Sequence, residues 1–273
     1  MGSKKKKKMR KPGFVFNVVV SIFVVLINVP IVFPDSTSGA PDYSYDERTG
    51  SGPSQWGELS SNWASCATGH MQTPISIDSR NVYDEPELGC LQTHYNPAPA
   101  FATKGKHGVK VSLKGDAGDL VVDGTTYGLL QFHWHWGAEH AIDGVRNNLE
   151  LHLVHNSSKG LAVIGITFTY GNPDPLLAQL LPLFDHLGEE DLDLGVIDPA
   201  QILFDNTSYF RYIGSLTTPP CSEGVLWTVI KEAMEVSEWQ VDRLKEIVND
   251  GFGSTARPLQ PLNGRTVYSY QYS

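Results

Sequence analysis

The chain has few cysteines, few basic residues in its body and few helix signals. Three cysteines in 273 residues, Cys66, Cys90 and Cys221, allow one intrachain disulfide and leave one thiol over, and spacing alone does not say which. Lys4 to Lys8, Arg10 and Lys11 take seven of the 21 basic residues, which leaves 14 basic against 30 acidic residues and a net charge of -16 for the rest. A body of that sign argues against nucleic acid or an anionic membrane surface as its partner. The rare helix signals do not alternate with strands, which speaks against a doubly wound α/β fold. No internal repeat is found.

There is one long apolar run. "FVFNVVVSIFVVLINVPIVF", Phe14 to Phe33, follows the basic cluster and is apolar apart from Asn17, Ser21, Asn28 and Pro30. It is long for a signal-peptide core and just long enough to span a bilayer. Residues 1–33 therefore read either as a cleaved signal peptide, with "STSGA" ending at Ala40 as a poor cleavage site, or as an uncleaved anchor with its basic end in the cytoplasm. Both readings place the chain in the secretory pathway, secreted or attached to a membrane through residues 14–33. The acceptor triplets at Asn156 and Asn206 fit glycosylation on that route. Residues 34–53 are rich in Ser, Gly, Pro and Asp and read as a flexible linker. Residues 54–273 show no further break and read as a single domain.

Within that domain short β-rich runs dominate: "VKVSL" (109–113), "LVVDG" (120–124), "YGLLQFHWHW" (127–136), "LELHLVH" (149–155), "LAVIGITFTY" (161–170) and "GVLWTVI" (224–230). Turn residues separate most of them. A helix is expected at the start of 174–187, limited by Pro182. A second is expected over 237–250. There Ser237 and Gln240 have capping-box spacing, Trp239, Leu244, Ile247 and Val248 form an apolar stripe, and Gly251 is the stop. The expected class is mainly β with peripheral helices.

"QFHWHWG" (131–137) places His133 and His135 two residues apart, so that in a strand they share one face while Trp134 and Trp136 share the other. Histidine is the commonest metal ligand, and a catalytic zinc takes three protein ligands and leaves one position open. "LELHLVH" supplies a third histidine. Glu150, His152 and Val154 share a face of that run, and "GAEHAIDGVRNN" (137–148) is long enough to bring it back antiparallel. Ligand histidines need an acceptor on the other ring nitrogen. Gln131 and Glu150, each two residues before a histidine and on its face, have the right spacing.

Seven motifs, in order, resemble the α-class carbonic anhydrases over nearly all of residues 54 to 270: "CATGHMQTPISI" (66–77), "QFHWHWG" (131–137), "EH" (139–140), "ELHLVH" (150–155), "LAVIGI" (161–166), "GSLTTPPCSEGVLW" (214–227) and "RPLQPLNGR" (257–265). Only Ala138 separates "HWG" from "EH", as in microbial and algal-type members. The resemblance implies a large, twisted, mostly antiparallel central sheet. It implies Zn²⁺ on His133, His135 and His152, and hydration of CO2 to bicarbonate by hydroxide on that zinc. It implies a bond from Thr217 to Glu139 and contact of Thr218 with bicarbonate. Val154, Val163, Leu216, Val225 and Trp227 match the apolar wall for CO2, and His107 matches the proton shuttle. Cys66 and Cys221 match the disulfide of secreted members, which leaves Cys90 over. The tyrosine usual near the N-terminal Trp-Gly does not follow Trp56-Gly57. A catalytically silent relative acting as a binding or matrix protein is the alternative, although such relatives typically lack a zinc histidine.

Overall fold

The structure, a computed structural model, describes residues 41–202, 207–249, 251 and 253–272. The targeting segment 1–33 and Asn206 lie outside the described residues, and among those no helix is long and apolar enough to cross a membrane.

A 13-stranded sheet forms the body. Its centre is a run of antiparallel neighbours: Gly108–Leu113, Thr125–Trp136, Leu149–Ser157 and Gly160–Tyr170. Gly160–Tyr170 then pairs in parallel with Glu223–Ile230, which pairs antiparallel with Tyr209–Ser215. The strand Leu149–Ser157 is buried at every residue from Leu149 to His155. Its two faces meet different layers. Leu149, Leu151 and Leu153 join Phe132, Trp134 and Trp136 in the apolar core, each contributing about 1.5–3 kcal/mol by leaving water. Glu150 and His152 point the other way.

All six β-rich runs lie in strands, with one exception at an end: Asp123 (φ 48°) and Gly124 (φ 68°) form the turn that closes Gly118–Val122 on Thr125–Trp136. Left-handed backbone there suits this pair. The sheet also contains strands that the β-rich runs did not include, among them Ala98–Gly105, Leu192–Ile197 and Tyr209–Ser215. Ala98–Gly105 and Leu192–Ile197 carry Ala, Pro, Gly and charged residues, and they form because partners lie beside them.

Three expectations need correction. The helix over 237–250 is Glu238–Val248, with the Ser237–Gln240 capping box formed. It ends at left-handed Asn249 (φ 52°) rather than at Gly251, and Trp239 is 65% exposed, outside the stripe. Buried Gln240 takes the inner face instead, donating to the Asp174 carbonyl and accepting from the Asp174 amide, both at 2.8 Å. The other helix, Pro175–Phe184, continues through Pro182 because Leu176, Leu177, Leu180, Leu181 and Phe184 are all buried. The segment read as linker is folded over its described part, 41–53. Glu47–Thr49 is a single 3-10 turn, and Ser44 is buried, its carbonyl accepting from the Trp56 indole at 2.9 Å. Tyr43 and Tyr45 supply the apolar contact that composition hid, packing edge-on against Trp56 with ring centres 5.2 and 5.4 Å apart.

Candidate metal centre

A β-bulge builds the site. Leu129 pairs with His155, but Gln131 pairs with Val154, so Leu130 is the extra residue. The bulge shifts the register by one residue and sets His133 directly across from His152 and His135 across from Glu150. A one-residue shift exchanges the two faces of a strand. Without it, His133 would face Leu151.

Each histidine has one ring nitrogen engaged. His133 Nδ1 donates to Gln131 Oε1 at 2.9 Å, His135 Nδ1 to the Thr255 carbonyl at 2.8 Å, and His152 Nε2 to Glu150 Oε1 at 2.9 Å. These bonds fix the tautomers and leave Nε2 of His133, Nε2 of His135 and Nδ1 of His152 with lone pairs. One ligand nitrogen from each ring lies within 4.8 Å of the others. Burial, followed by the neighbouring His135 and His152, holds the His133 ring well below its ordinary value, and burial lowers His135 as well. Neutral imidazoles are what a metal requires. His135 Nε2 is buried with no hydrogen-bond partner, an expensive state unless a ligand occupies it. The three histidines therefore fit a zinc ion.

The carboxylates follow from the loop 137–148. Ala141–Ile142 pairs in parallel with Ser76–Ile77, which turns Glu139 inward. Glu139 is fully buried and its Oε1 accepts from the Arg257 amide at 2.9 Å. Its Oε2 has no hydrogen-bond partner and lies 3.6 Å from His135 Nε2 and 3.9 Å from His152 Nε2. The bond from Thr217 that the resemblance implies is not formed here.

Glu150 is tied on both sides. Beyond His152, its Oε1 accepts from His140 Nδ1 at 2.7 Å and its Oε2 from the His140 amide at 2.8 Å. Burial opposes its charge, but His140 and His152 outweigh that and hold the carboxyl well below its usual range. His140 Nε2 then meets the Tyr212 hydroxyl at 2.7 Å, which reaches Thr73 at 3.1 Å. His140 belongs to a quoted motif, yet its spacing gave no role. The Thr255 carbonyl gave no sequence signal, since every residue carries one.

In Glu150→Gln the amide must present its NH2 group to an N–H donor in either orientation. Zinc affinity is expected to fall roughly 10- to 100-fold, measured by competition with a chromophoric chelator. Unchanged affinity would show that Glu150 does not orient His152.

Val154, Val163, Val225 and Trp227 are buried on three adjacent strands, with Val163 opposite both Val154 and Trp227. The Trp227 ring lies 4.9 Å from that of His152. Thr217 is buried, and Leu216 and Thr218 are half-buried. His107 is half-buried, its Nε2 donating to the Tyr43 carbonyl at 2.7 Å, and its ring is 4.9 Å from that of Tyr43. Burial and then Glu139 push the Tyr43 phenol up, while the Thr218 hydroxyl beside it pulls the other way. A tyrosine thirteen residues before Trp56 thus packs against His107, although none follows Trp56-Gly57 directly. Cys66 and Cys221 are bonded, Cys90 is exposed and free, and Asn156 is exposed at a strand end.

Three histidines able to hold a metal ion on a twisted, mainly antiparallel sheet define a narrow class. The family model described as eukaryotic-type carbonic anhydrase matches residues 51–271, and the chain belongs to this α-carbonic anhydrase family. Alpha carbonic anhydrase 4 of Arabidopsis thaliana is 41% identical over 232 residues, 84% of this chain and 85% of that protein. Dioscorin DB3L of Dioscorea polystachya is 38% identical over 258 residues, 92% and 95% of the two chains. The crystal structure of dioscorin complexed with ascorbate superposes with a TM-score of 0.82 at 37% identity, covering 85% of this chain and 99% of that one. The α-carbonic anhydrase from Thermovibrio ammonificans, complexed with the inhibitor sulfanilamide, gives 0.75 at 36% identity, covering 84% and 100%.

Proposed function

We propose that the chain is a zinc lyase for the reversible hydration of CO2 to bicarbonate and a proton. The supporting observation is the convergence of three histidines, each with one ring nitrogen engaged by an acceptor, beside the buried Glu139. Bound zinc supplies the Lewis acidity that makes water a nucleophile near neutral pH. His133, His135 and His152 hold the ion, and Gln131, the Thr255 carbonyl and Glu150 keep their rings in the ligating tautomer. Glu139 Oε2, which has no hydrogen-bond partner in this structure, would accept from the Thr217 hydroxyl once zinc is bound and so orient that hydroxyl toward the reacting oxygen. Val154, Val163, Leu216, Val225 and Trp227 form an apolar wall that holds CO2 and excludes water, and Thr218 contacts bicarbonate. His107 passes the proton to buffer.

Stopped-flow CO2 hydration, with and without a zinc chelator and an aromatic sulfonamide, tests this reading. Sulfonamide-sensitive hydration is expected. None at all would favour the silent binding protein, a reading that the likeness to dioscorins keeps in play.

His107→Ala is expected to slow turnover at least about tenfold in weak buffer, with rescue by imidazole, as befits a positioned acid–base group. An unchanged rate would remove the shuttle role.

The Cys66–Cys221 disulfide agrees with an oxidising compartment, so residues 1–33 are proposed to route the chain into the secretory pathway, with 54–273 as the catalytic domain and Asn156 and Asn206 as glycosylation sites. N-terminal sequencing of the mature protein separates a cleaved signal from an anchor.

A further inference from the structure

A cavity of about 190 Å³ is lined by Glu87, Cys90, Gln92, Asp123, Tyr209 and Arg211 among others. Successive residues of a strand point to opposite faces. In Tyr209–Ser215, Tyr212 reaches toward His140, so Tyr209 and Arg211 lie on the far face of the sheet. Arg211 is only 6% exposed. Its Nε and Nη2 both bond to the Thr228 hydroxyl, at 3.3 and 3.1 Å, and its guanidinium lies 4.8 Å over the Tyr209 ring. A guanidinium has five N–H donors, and among the described residues no carboxylate lies within ion-pair distance of this one. Burial pulls it below its ordinary value. The Asp123 carboxylate of the same cavity acts on it only from beyond ion-pair distance, and a buried cation that no carboxylate pairs with directly is costly.

The free thiol lines the same cavity. Cys90 is exposed, with Sγ 3.3 Å from the Tyr270 hydroxyl. The Tyr270 ring is 5.3 Å from the Tyr209 ring, and the Tyr209 hydroxyl donates to the Leu88 and Gly89 carbonyls at 3.3 and 3.0 Å. Tyr209 therefore ties the loop before Cys90 to the strand that carries Arg211. One anion-seeking group and one nucleophilic sulfur sit in one cavity, apart from the histidines.

We propose that this cavity captures a small carboxylate-bearing disulfide, its carboxylate paired with Arg211 and its sulfur bonded to Cys90. The Cys90 thiolate attacks one sulfur of the small disulfide. A new Sγ–S bond forms as the old S–S bond breaks, and the departing thiolate takes up the proton that Cys90 released. Cys90 is oxidised, and half of the small disulfide leaves reduced, as a thiol. The acidic residues Glu87 and Asp123 at the rim, and the acidic body as a whole, would otherwise favour a cationic disulfide. The sign of the preference is therefore diagnostic.

The test uses the full chain, with oxidised glutathione as the anionic probe and cystamine as the cationic one. Each rate of addition is followed by intact mass and divided by the rate of the same probe with N-acetylcysteine amide. After this normalisation, oxidised glutathione is expected to react with the native chain at least about tenfold faster than cystamine. Cys90→Ser should abolish addition, and Arg211→Gln should remove the preference. Equal or faster normalised reaction with cystamine overturns the proposal, as does a Cys90-linked dimer as the main product. That ratio is measured on the native chain, so the proposal stays falsifiable even if Arg211→Gln does not fold.

Discussion

His152→Ala is expected to lower CO2 hydration to the uncatalysed rate and to leave the chain with far less than one zinc per molecule. His152 is the ligand on the second strand, directly across from His133. Without it two histidines remain, short of the three protein ligands that a catalytic zinc takes. The substitution also takes a donor from the buried Glu150, at a cost of about 1–3 kcal/mol, so melting temperature must be recorded alongside. Elemental analysis and stopped flow on the folded variant decide the matter. Hydration within twofold of the parent chain, in a variant shown to be folded, would sink the zinc reading.

The second large effect is on stability. The Cys66–Cys221 bond closes a sequence separation of 155 residues, and the chain-entropy relation puts its contribution at about 5 kcal/mol. Domains are stable by roughly 5–15 kcal/mol in total. The double variant Cys66→Ser, Cys221→Ser is therefore expected to melt some 10–20 °C lower by calorimetry, at roughly 2–4 °C per kcal/mol for a domain of this size. Activity should weaken too. Cys221 follows the segment carrying Thr217 and Thr218, and Gln72 and Arg257 bond to the Cys221 and Cys66 carbonyls at 3.1 Å each. A drop below about 3 °C would show that these hydrogen bonds hold the segment without the covalent link.

How much of this was legible in the sequence depends on the range of the interaction. The alternation of Gln131, His133 and His135, and of Glu150 and His152, is local and follows from strand geometry. The Ser237–Gln240 capping box is local too, and it formed. Trp239 misled because a helical period allows more than one stripe, and the neighbouring helix chose the one with Gln240. Tyr43 was hidden in a polar stretch, since its burial depends on Trp56, Trp63 and His107 meeting it from elsewhere.

The sequence alone determined the family, the mainly β class, the three histidines and the two acceptors two residues before His133 and His152. The tertiary structure decided which atoms meet. A bulge at Leu130 sets the register that brings His152 opposite His133, the Thr255 carbonyl arrives from 120 residues away to orient His135, and Tyr209 joins Cys90 to a buried arginine. These depend on backbone register and on groups that every residue carries, and a pattern of side chains along one chain holds no record of either.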